Sequence, residues 1–151
     1  YNVNWLAAEY EACVASGQMA QQWGQYEQSK EEFPYLRFDT AGDARVRDEH
    51  RALDGITRKM EDAFWQTHYP PLGWRCRCDV VQVSAADGED SPALEVARAT
   101  RAANVPKEWQ NNTAQTGQVF TREHPYVPRS ARLRRAVLAE RDRQKGGQDE
   151  S

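Results

Sequence analysis

The hydrophobic residues of the first 29 positions recur at the three- and four-residue spacing of an α-helix. We therefore predict one long amphipathic helix from Tyr1 to about Ser29, which packs its apolar side into the core. Its second half presents a stripe made of Met19, Trp23 and Tyr26. Its first half presents a broader apolar face, namely Val3, Leu6, Ala7, Tyr10, Cys13, Val14 and Gly17.

Two later stretches alternate between polar and apolar residues, which is the pattern of a half-buried β-strand. The first stretch is Tyr35–Thr40 and the second is Arg75–Val83. In the second, Cys76 and Cys78 fall on the same side, because successive side chains of a strand point to opposite faces. We predict that the two strands pair in a small antiparallel sheet, which packs on the first helix.

Turn and capping residues divide the chain between these two strands. A single helical turn at Asp48–Leu53 is predicted to end at the Asp54-Gly55 pair. Asp62 can cap a second short helix, Ala63–His68. The Pro70-Pro71 pair must end that helix, because proline has no backbone N–H to donate.

The second half of the chain is predicted to be a helical extension. Ala85–Asp90 is a polar linker, after which Ser91 caps a helix that starts at Pro92 and continues to about Ala103. We predict a loop at Lys107–Pro128, with three aromatic anchors: Trp109, Phe120 and Tyr126.

The last part of the chain is rich in arginine. Ser130 would begin a basic helix that ends at Arg143, before a disordered tail at Gln144–Ser151. The predicted fold class is therefore α+β: a long N-terminal helix packed on a small antiparallel sheet, with a helical, partly disordered C-terminal extension.

The composition fits one domain with a modest core. The 151 residues are 39% hydrophobic with a mean hydropathy of −0.92, which is polar for a globular protein. The net charge of −3 is uneven, because residues 1–90 hold 9 basic and 16 acidic side chains whereas residues 91–151 hold 11 basic and 7 acidic. The basic end predicts contact with nucleic acid or an acidic surface. Its candidate residues are Arg132, Arg134, Arg135, Arg141 and Arg143.

Neither a membrane segment nor a disulfide framework is predicted. No apolar run approaches the length of a transmembrane helix, and no signal peptide is visible. Three cysteines indicate a reduced setting rather than a set of disulfides. The chain begins at Tyr1 without a methionine and inside a predicted helix, which predicts a fragment or a processed product.

Four side chains of the central stretch have the chemistry of zinc ligands: His50, His68, Cys76 and Cys78. Two imidazoles and two thiolates would complete a tetrahedral site. The alternative is a metal-free arrangement of buried thiols and hydrogen-bonded histidines, because the usual Cys-x2-Cys spacing is absent. The sequence leaves both interpretations open.

The same side chains also suggest nucleophilic catalysis, with a cysteine next to a histidine. However, the sequence contains no recognised nucleophile turn, oxyanion loop or phosphate-binding loop. We therefore assign no catalytic residue and predict that the protein is not an enzyme.

Two motifs in the centre of the chain resemble those of phage Mu F-like proteins, the minor head or head morphogenesis proteins of tailed phages and prophages. The first, DARVRDEHRALDG at residues 43–55, is similar to the family's D-x-R-V-R-x-x-H-x-x-L-D-G. The second, FWQTHYPPLGWRCRC at residues 64–78, is similar to its FW-x-x-x-x-PP-x-G-x-x-CRC ending. The resemblance covers roughly Asn4 to Val83. A further C-terminal likeness involves Asn112, Phe120 and His124-Pro125-Tyr126.

The resemblance implies a low-copy head protein that acts through protein contacts at the portal vertex. Its implied partners are the portal and other capsid or scaffold proteins, and its implied roles are head assembly or DNA delivery. It implies a place in the virion, at the portal vertex or capsid interior, after assembly in the bacterial cytoplasm. The motif residues are expected to be structural: Arg47, His50, Asp54, Gly55, Trp65, Pro70, Pro71, Cys76, Arg77 and Cys78.

The resemblance also suggests how the chain is divided. Residues 1–84 would be the C-terminal part of a Mu F-like domain, residues 85–128 an extension of linker, helix and loop, and residues 129–151 a basic helix with its tail. The other interpretation is an enzyme or toxin-associated domain that uses the histidines and cysteines, with or without zinc.

Overall fold

The structure, a computed structural model of the chain, describes residues 3–126 together with Arg135 and Ala139. It has the predicted α+β fold, in which a long N-terminal helix lies against a small antiparallel sheet. In chain order the elements are α1 (Val3–Gln28), β1 (Tyr35–Asp39), α2 (Asp48–Arg51), β2 (Thr57–Lys59), α3 (Phe64–Thr67), β3 (Asp79–Val83), α4 (Ala93–Ala103), a 3-10 helix (Lys107–Trp109) and α5 (Thr113–Thr116).

The sheet has three strands in the order β2-β1-β3, and both pairings are antiparallel. The predicted pairing of the two longer strands is confirmed, with Leu36 of β1 opposite Gln82 of β3. Leu36 and Phe38 of the central strand are fully buried. The core that they enter also contains Leu53, Ile56, Met60, Trp65, Tyr69, Leu72 and Val80.

The second half of α1 packs on the sheet and the core as predicted. Met19 and Trp23 are buried, and the Trp23 ring meets the Tyr69 ring edge-on with centroids 5.0 Å apart. The Tyr69 hydroxyl donates to the Met19 carbonyl at 3.1 Å, and the Tyr26 hydroxyl donates to the Val80 carbonyl at 3.0 Å. This half of the helix is therefore fixed by both apolar and polar contacts.

The burial predicted for the first half of α1 is wrong. Four large members of the predicted face are exposed: Val3 (76%), Leu6 (53%), Tyr10 (70%) and Val14 (38%). The buried side chains of this half are small, namely Ala8, Ala12 and Ser16. Small residues allow close packing but give little hydrophobic signal, so the large residues indicated the wrong side of the helix.

The second predicted strand is shorter than expected, because β3 begins at Asp79 rather than at Arg75. Arg75 has a φ of 55°, in the left-handed region, which does not continue a strand. The Cys76 N–H donates to the Gly73 carbonyl at 3.3 Å and closes a turn there. Residues 75–78 are therefore a loop, and strand alternation does not explain where the two cysteines point.

The sequence does not predict β2, because three residues are too few to show a period. Ser91 is also not the helix cap that we predicted. Its hydroxyl accepts from the Thr57 N–H at 3.0 Å, and its own N–H donates to the Thr57 carbonyl at 2.9 Å. Asp90 likewise accepts from the Lys59 N–H at 3.1 Å. The segment before α4 thus runs along the outer side of β2, and Pro92 takes the N-cap position.

The C-terminal extension contains the predicted helix, observed as α4, and two short helices within the predicted loop. Asn112 caps α5, since its Oδ1 accepts from the Ala114 N–H at 3.1 Å. The predicted basic helix at residues 130–143 and the tail at 144–151 lie outside the described residues, apart from Arg135 and Ala139. The division of the chain at residues 84 and 128 stays a prediction.

Candidate functional site

His50 lies in α2, on the connection from β1 to β2, and its side chain is buried. Its neighbour Arg51 donates from Nη2 to the carbonyls of Val46 at 3.0 Å and Asp43 at 3.3 Å, which ties α2 to the preceding turn. The segment ends at Gly55, whose φ of 77° favours glycine. These hydrogen bonds and the glycine turn therefore fix the position of the His50 imidazole.

Cys76 and Cys78 approach this imidazole from the loop that leads into β3. Nδ1 of His50 lies 3.6 Å from Sγ of Cys76 and 3.5 Å from Sγ of Cys78. The three atoms that could bind a metal all lie within 4.8 Å of one another. In the part of the chain that the structure describes, this is the one such group of three or more metal-ligand side chains.

Two arginines clamp the cysteine loop to the α2 segment. Nη2 of Arg47 donates to the Trp74 carbonyl at 3.1 Å, and a Cβ at Gly73 would stand 3.2 Å from that nitrogen. Arg77, between the cysteines, donates through both Nη atoms to the Asp43 carboxylate, at 2.8 and 2.7 Å. This pair holds the pKa of the Asp43 carboxyl well below its usual range. The clamps bring the two segments together around the sulfurs.

The contact between the two cysteines shifts their pKa values in opposite directions. The Cys78 thiol donates to the Cys76 sulfur, which lowers the pKa of Cys76, and the contact with His50 adds to this although burial opposes it. The same sulfur contact, together with burial, raises the pKa of Cys78. A thiolate beside an imidazole is a ligand set for a borderline or soft metal ion such as Zn²⁺.

His68, the fourth predicted zinc ligand, is not part of this group. Its ring stacks on Phe64 with centroids 4.7 Å apart, and its Nδ1 hydrogen-bonds the Thr67 hydroxyl at 2.8 Å. Burial lowers the pKa of His68, so the folded protein favours its neutral form. The structure thus brings together three of the four predicted ligands, while zinc binding itself stays a prediction.

The same region of the chain is similar to known proteins. A family model described as "Phage Mu protein F like protein" matches residues 3–81, about half of the chain. The chain belongs to the phage Mu F-like family. The matched range contains α1, β1, β2, the first part of β3 and both cysteines of the site.

Two curated relatives agree with this membership. The chain is 32% identical to the putative capsid assembly protein F of Escherichia phage Mu, over 76% of this chain and 26% of the relative. It is 35% identical to the Mu-like prophage FluMu F protein of Haemophilus influenzae, over 46% of this chain and 20% of the relative. The chain therefore spans about a quarter of these relatives or less. No solved structure is significantly similar to it.

Several motif residues of this Mu F-like chain have clear structural contacts. Oδ1 of Asp54 accepts from the N–H and hydroxyl of Thr40, at 2.8 and 2.7 Å, and so fixes the end of β1. Trp65 is fully buried and donates from Nε1 to the Lys59 carbonyl at 3.1 Å. Pro70 and Pro71, joined by a cis peptide bond, follow α3. Whether these residues also have a functional role stays a prediction.

The arginines predicted to bind nucleic acid fall almost entirely outside the described residues. Arg132, Arg134, Arg141 and Arg143 are not described, whereas Arg135 is helical and exposed. DNA contact therefore stays a prediction from the sequence. Among residues 3–126, no helix has both the length and the apolar character needed to cross a bilayer.

The three predicted aromatic anchors, Trp109, Phe120 and Tyr126, meet in one cluster centred on Trp74, and the sequence did not predict that Trp74 would join them. The Trp74 ring meets Trp109 at 5.0 Å and His124 at 5.6 Å, and Phe120 lies 4.4 Å from His124, all between ring centroids. His124 is almost fully buried, whereas the predicted anchor Tyr126 remains half-exposed. The aromatic spacing after residue 119 was a usable signal, since Phe120, His124 and Tyr126 recur within seven positions.

Proposed function

We propose that this chain acts in the assembly of a phage or prophage head, through protein contacts and without a catalytic step. The observation that carries the proposal is the match to Mu F-like proteins, one of which is named a capsid assembly protein. The chain spans only about a quarter of that relative. We therefore propose this role for the domain that the chain shares with the family, and not for a protein of the relative's full length.

The exposed apolar face of α1 supports a partner contact. Val3, Leu6 and Tyr10 recur at three- and four-residue spacing at the start of the helix, so they share one face, and each is more than half exposed. Contiguous exposed apolar residues of this kind mark protein interaction sites on soluble proteins. We call these three residues the α1 patch.

We propose the portal protein as the partner of the α1 patch, which would place the chain at the portal vertex as a minor component of the virion. The acidic side chains next to the patch already have partners of their own. Glu9 accepts from the Tyr126 hydroxyl, and Glu11 pairs with Arg75 at 3.5 Å. An apolar patch with a satisfied polar border is the usual composition of a protein interface.

The proposal is tested by putting a charge into the patch. We expect Leu6→Glu and Tyr10→Glu to leave the unfolding temperature nearly unchanged, because both side chains are exposed. We expect the same variants to reduce the yield of filled heads in complementation, and to abolish co-purification with the portal protein. Gln21→Glu adds the same charge at an exposed position elsewhere on α1 and serves as the control.

Two outcomes would separate the parts of this proposal. Normal heads and normal portal binding with both variants would refute the α1 patch as the contact. Reduced heads with unchanged portal binding would keep head assembly and reject the portal as the partner.

A further inference from the structure

The separations between the His50 nitrogen and the sulfurs of Cys76 and Cys78 match those of metal ligands. Zinc lies about 2.0–2.1 Å from a histidine nitrogen and about 2.3 Å from a thiolate sulfur. In a tetrahedral arrangement these bond lengths place nitrogen and sulfur about 3.6 Å apart. The two observed Nδ1 to Sγ distances are 3.6 and 3.5 Å. Both nitrogen–sulfur separations are therefore those of two ligands of one zinc ion, and the two sulfurs lie within 4.8 Å of each other.

Hydrogen bonding alone explains this arrangement less well. A neutral imidazole Nδ1 has either one lone pair or one hydrogen, so it makes one well-directed hydrogen bond. Here two sulfurs lie at nearly the same distance from that single nitrogen. A metal ion at the centre satisfies all three atoms at once.

We propose that Nδ1 of His50 and the sulfurs of Cys76 and Cys78 bind one Zn²⁺ ion, with a water molecule as the fourth ligand. A cavity of about 20 Å³ adjoins the three ligands, which is room for one water. Zinc takes both cysteines as thiolates, so any proton still held by the pair is released to the solvent on binding, and no electron is transferred. The inference does not depend on the proposed role in head assembly.

The charges around the cavity are compatible with this ion. Four arginines line it, namely Arg45, Arg47, Arg75 and Arg77. They would repel a bare divalent cation, but two thiolates and a neutral imidazole bring the charge of the zinc centre to zero. Two of the four are also neutralised, because Arg77 pairs with Asp43 and Arg75 with Glu11.

The proposed ion would join two segments that are far apart in the sequence. His50 precedes the cysteines by 26 and 28 residues, and the connection between them contains β2 and α3. A metal that closes such a connection stabilises the folded state, because the assembled site does not exist in the unfolded chain. Its expected role is structural, as a clip between α2 and the loop that leads into β3.

The first test is the zinc content of the full, tag-free chain, purified under reducing conditions and measured by elemental analysis. We expect about one zinc per chain. We expect that amount to fall to near zero in the Cys76→Ser, Cys78→Ser double variant and in His50→Gln. Matched controls are Cys13→Ser, an exposed cysteine, and His68→Gln, a buried histidine outside the group, which should both keep their zinc.

A second test uses the unaltered chain, because a substitution at a buried side chain also changes folding in ways unrelated to metal. Replacement of zinc by Co²⁺ should give the visible absorption bands of tetrahedral cobalt bound to thiolate, and chelator should lower the unfolding temperature. A chain that binds neither Zn²⁺ nor Co²⁺ after reconstitution would overturn the proposal. Zinc retained in the double serine variant, or lost from a His68→Gln variant that remains folded, would also overturn it.

Discussion

His50 and His68 are equally buried, at 7% and 6% exposure, yet their surroundings have little in common. The His50 pocket, formed with Cys76 and Cys78, contains sulfur and is bordered by arginines. The His68 pocket, formed with Phe64 and Thr67, is aromatic and needs only one hydrogen-bond partner. The burial of a histidine therefore does not indicate its role, whereas the side chains that its ring nitrogens face do.

The two pockets also join different parts of the molecule. The His50 pocket joins α2 to the loop before β3, through side chains that could share a metal. The His68 pocket belongs to α3, and Trp65 of this helix is completely buried in the core. The Trp65 carbonyl accepts a hydrogen bond from Nδ2 of Asn112 at 3.2 Å, which joins α3 to the C-terminal extension. We expect the stability of the His50 pocket to depend on metal and that of the His68 pocket to depend on packing.

The largest effect is expected next to the His68 pocket. Trp65→Ala should lower the free energy of unfolding by about 3–5 kcal/mol, since it removes a fully buried indole and its bond to the Lys59 carbonyl. Chemical denaturation measures the change, which should be the same with and without chelator. Trp5→Ala, at a half-exposed tryptophan, is the control and should cost much less.

Loss of a metal ligand from the His50 pocket should lower the free energy of unfolding by a similar amount, but only when zinc is present. With free zinc at 100 times its dissociation constant, the bound ion should contribute about 2.7 kcal/mol to stability. Cys76→Ser should therefore destabilise the protein in zinc and do so much less in chelator. Equal costs in the two conditions would mean that this cysteine acts only through packing.

The contact between α3 and the C-terminal extension should have a smaller effect. Asn112 is fully buried, and Asn112→Ala would leave the Trp65 carbonyl unpaired and remove the cap of α5. A loss of about 1–3 kcal/mol is expected from thermal or chemical unfolding. Gln115→Ala, at an exposed position of α5, should stay within about 0.5 kcal/mol of the unaltered protein.

The smallest effect is a dependence on pH. Because burial lowers the pKa of His68 from its ordinary 6.5, the unfolded chain binds a proton more readily than the folded one. This contribution to stability is complete above pH 6.5 and is lost as the pH falls through the lower pKa of the folded state. His68→Phe should flatten the decline between pH 7 and pH 5 in unfolding experiments. Part of the decline should remain, because burial lowers the pKa of His124 as well.

The sequence was most informative where a local signal decides the structure. Asp62 does accept from the Phe64 N–H at 2.8 Å at the start of α3, and Gly55 does take the left-handed turn. Prediction from the sequence failed where contacts between distant parts of the chain decide the structure. Ala8 and Ala12 carry the buried side of α1, although larger residues on the other side have a stronger hydrophobic signal. Likewise, no spacing rule separates His50 from His68, because only folding brings one of them to the cysteines.

The contacts along the two outer strands have a consequence for how this domain can meet its neighbours. Ser91 and Asp90 occupy backbone groups of β2, and the Tyr26 side chain of α1 donates to the carbonyl of Val80 in β3. Unpaired strand edges are the usual template for uncontrolled association between chains. The outer edge of β2 is thus covered at two residues and β3 is contacted at Val80, which leaves fewer backbone groups for an added strand. Recognition would then have to use helical faces, where docking is selective and does not propagate.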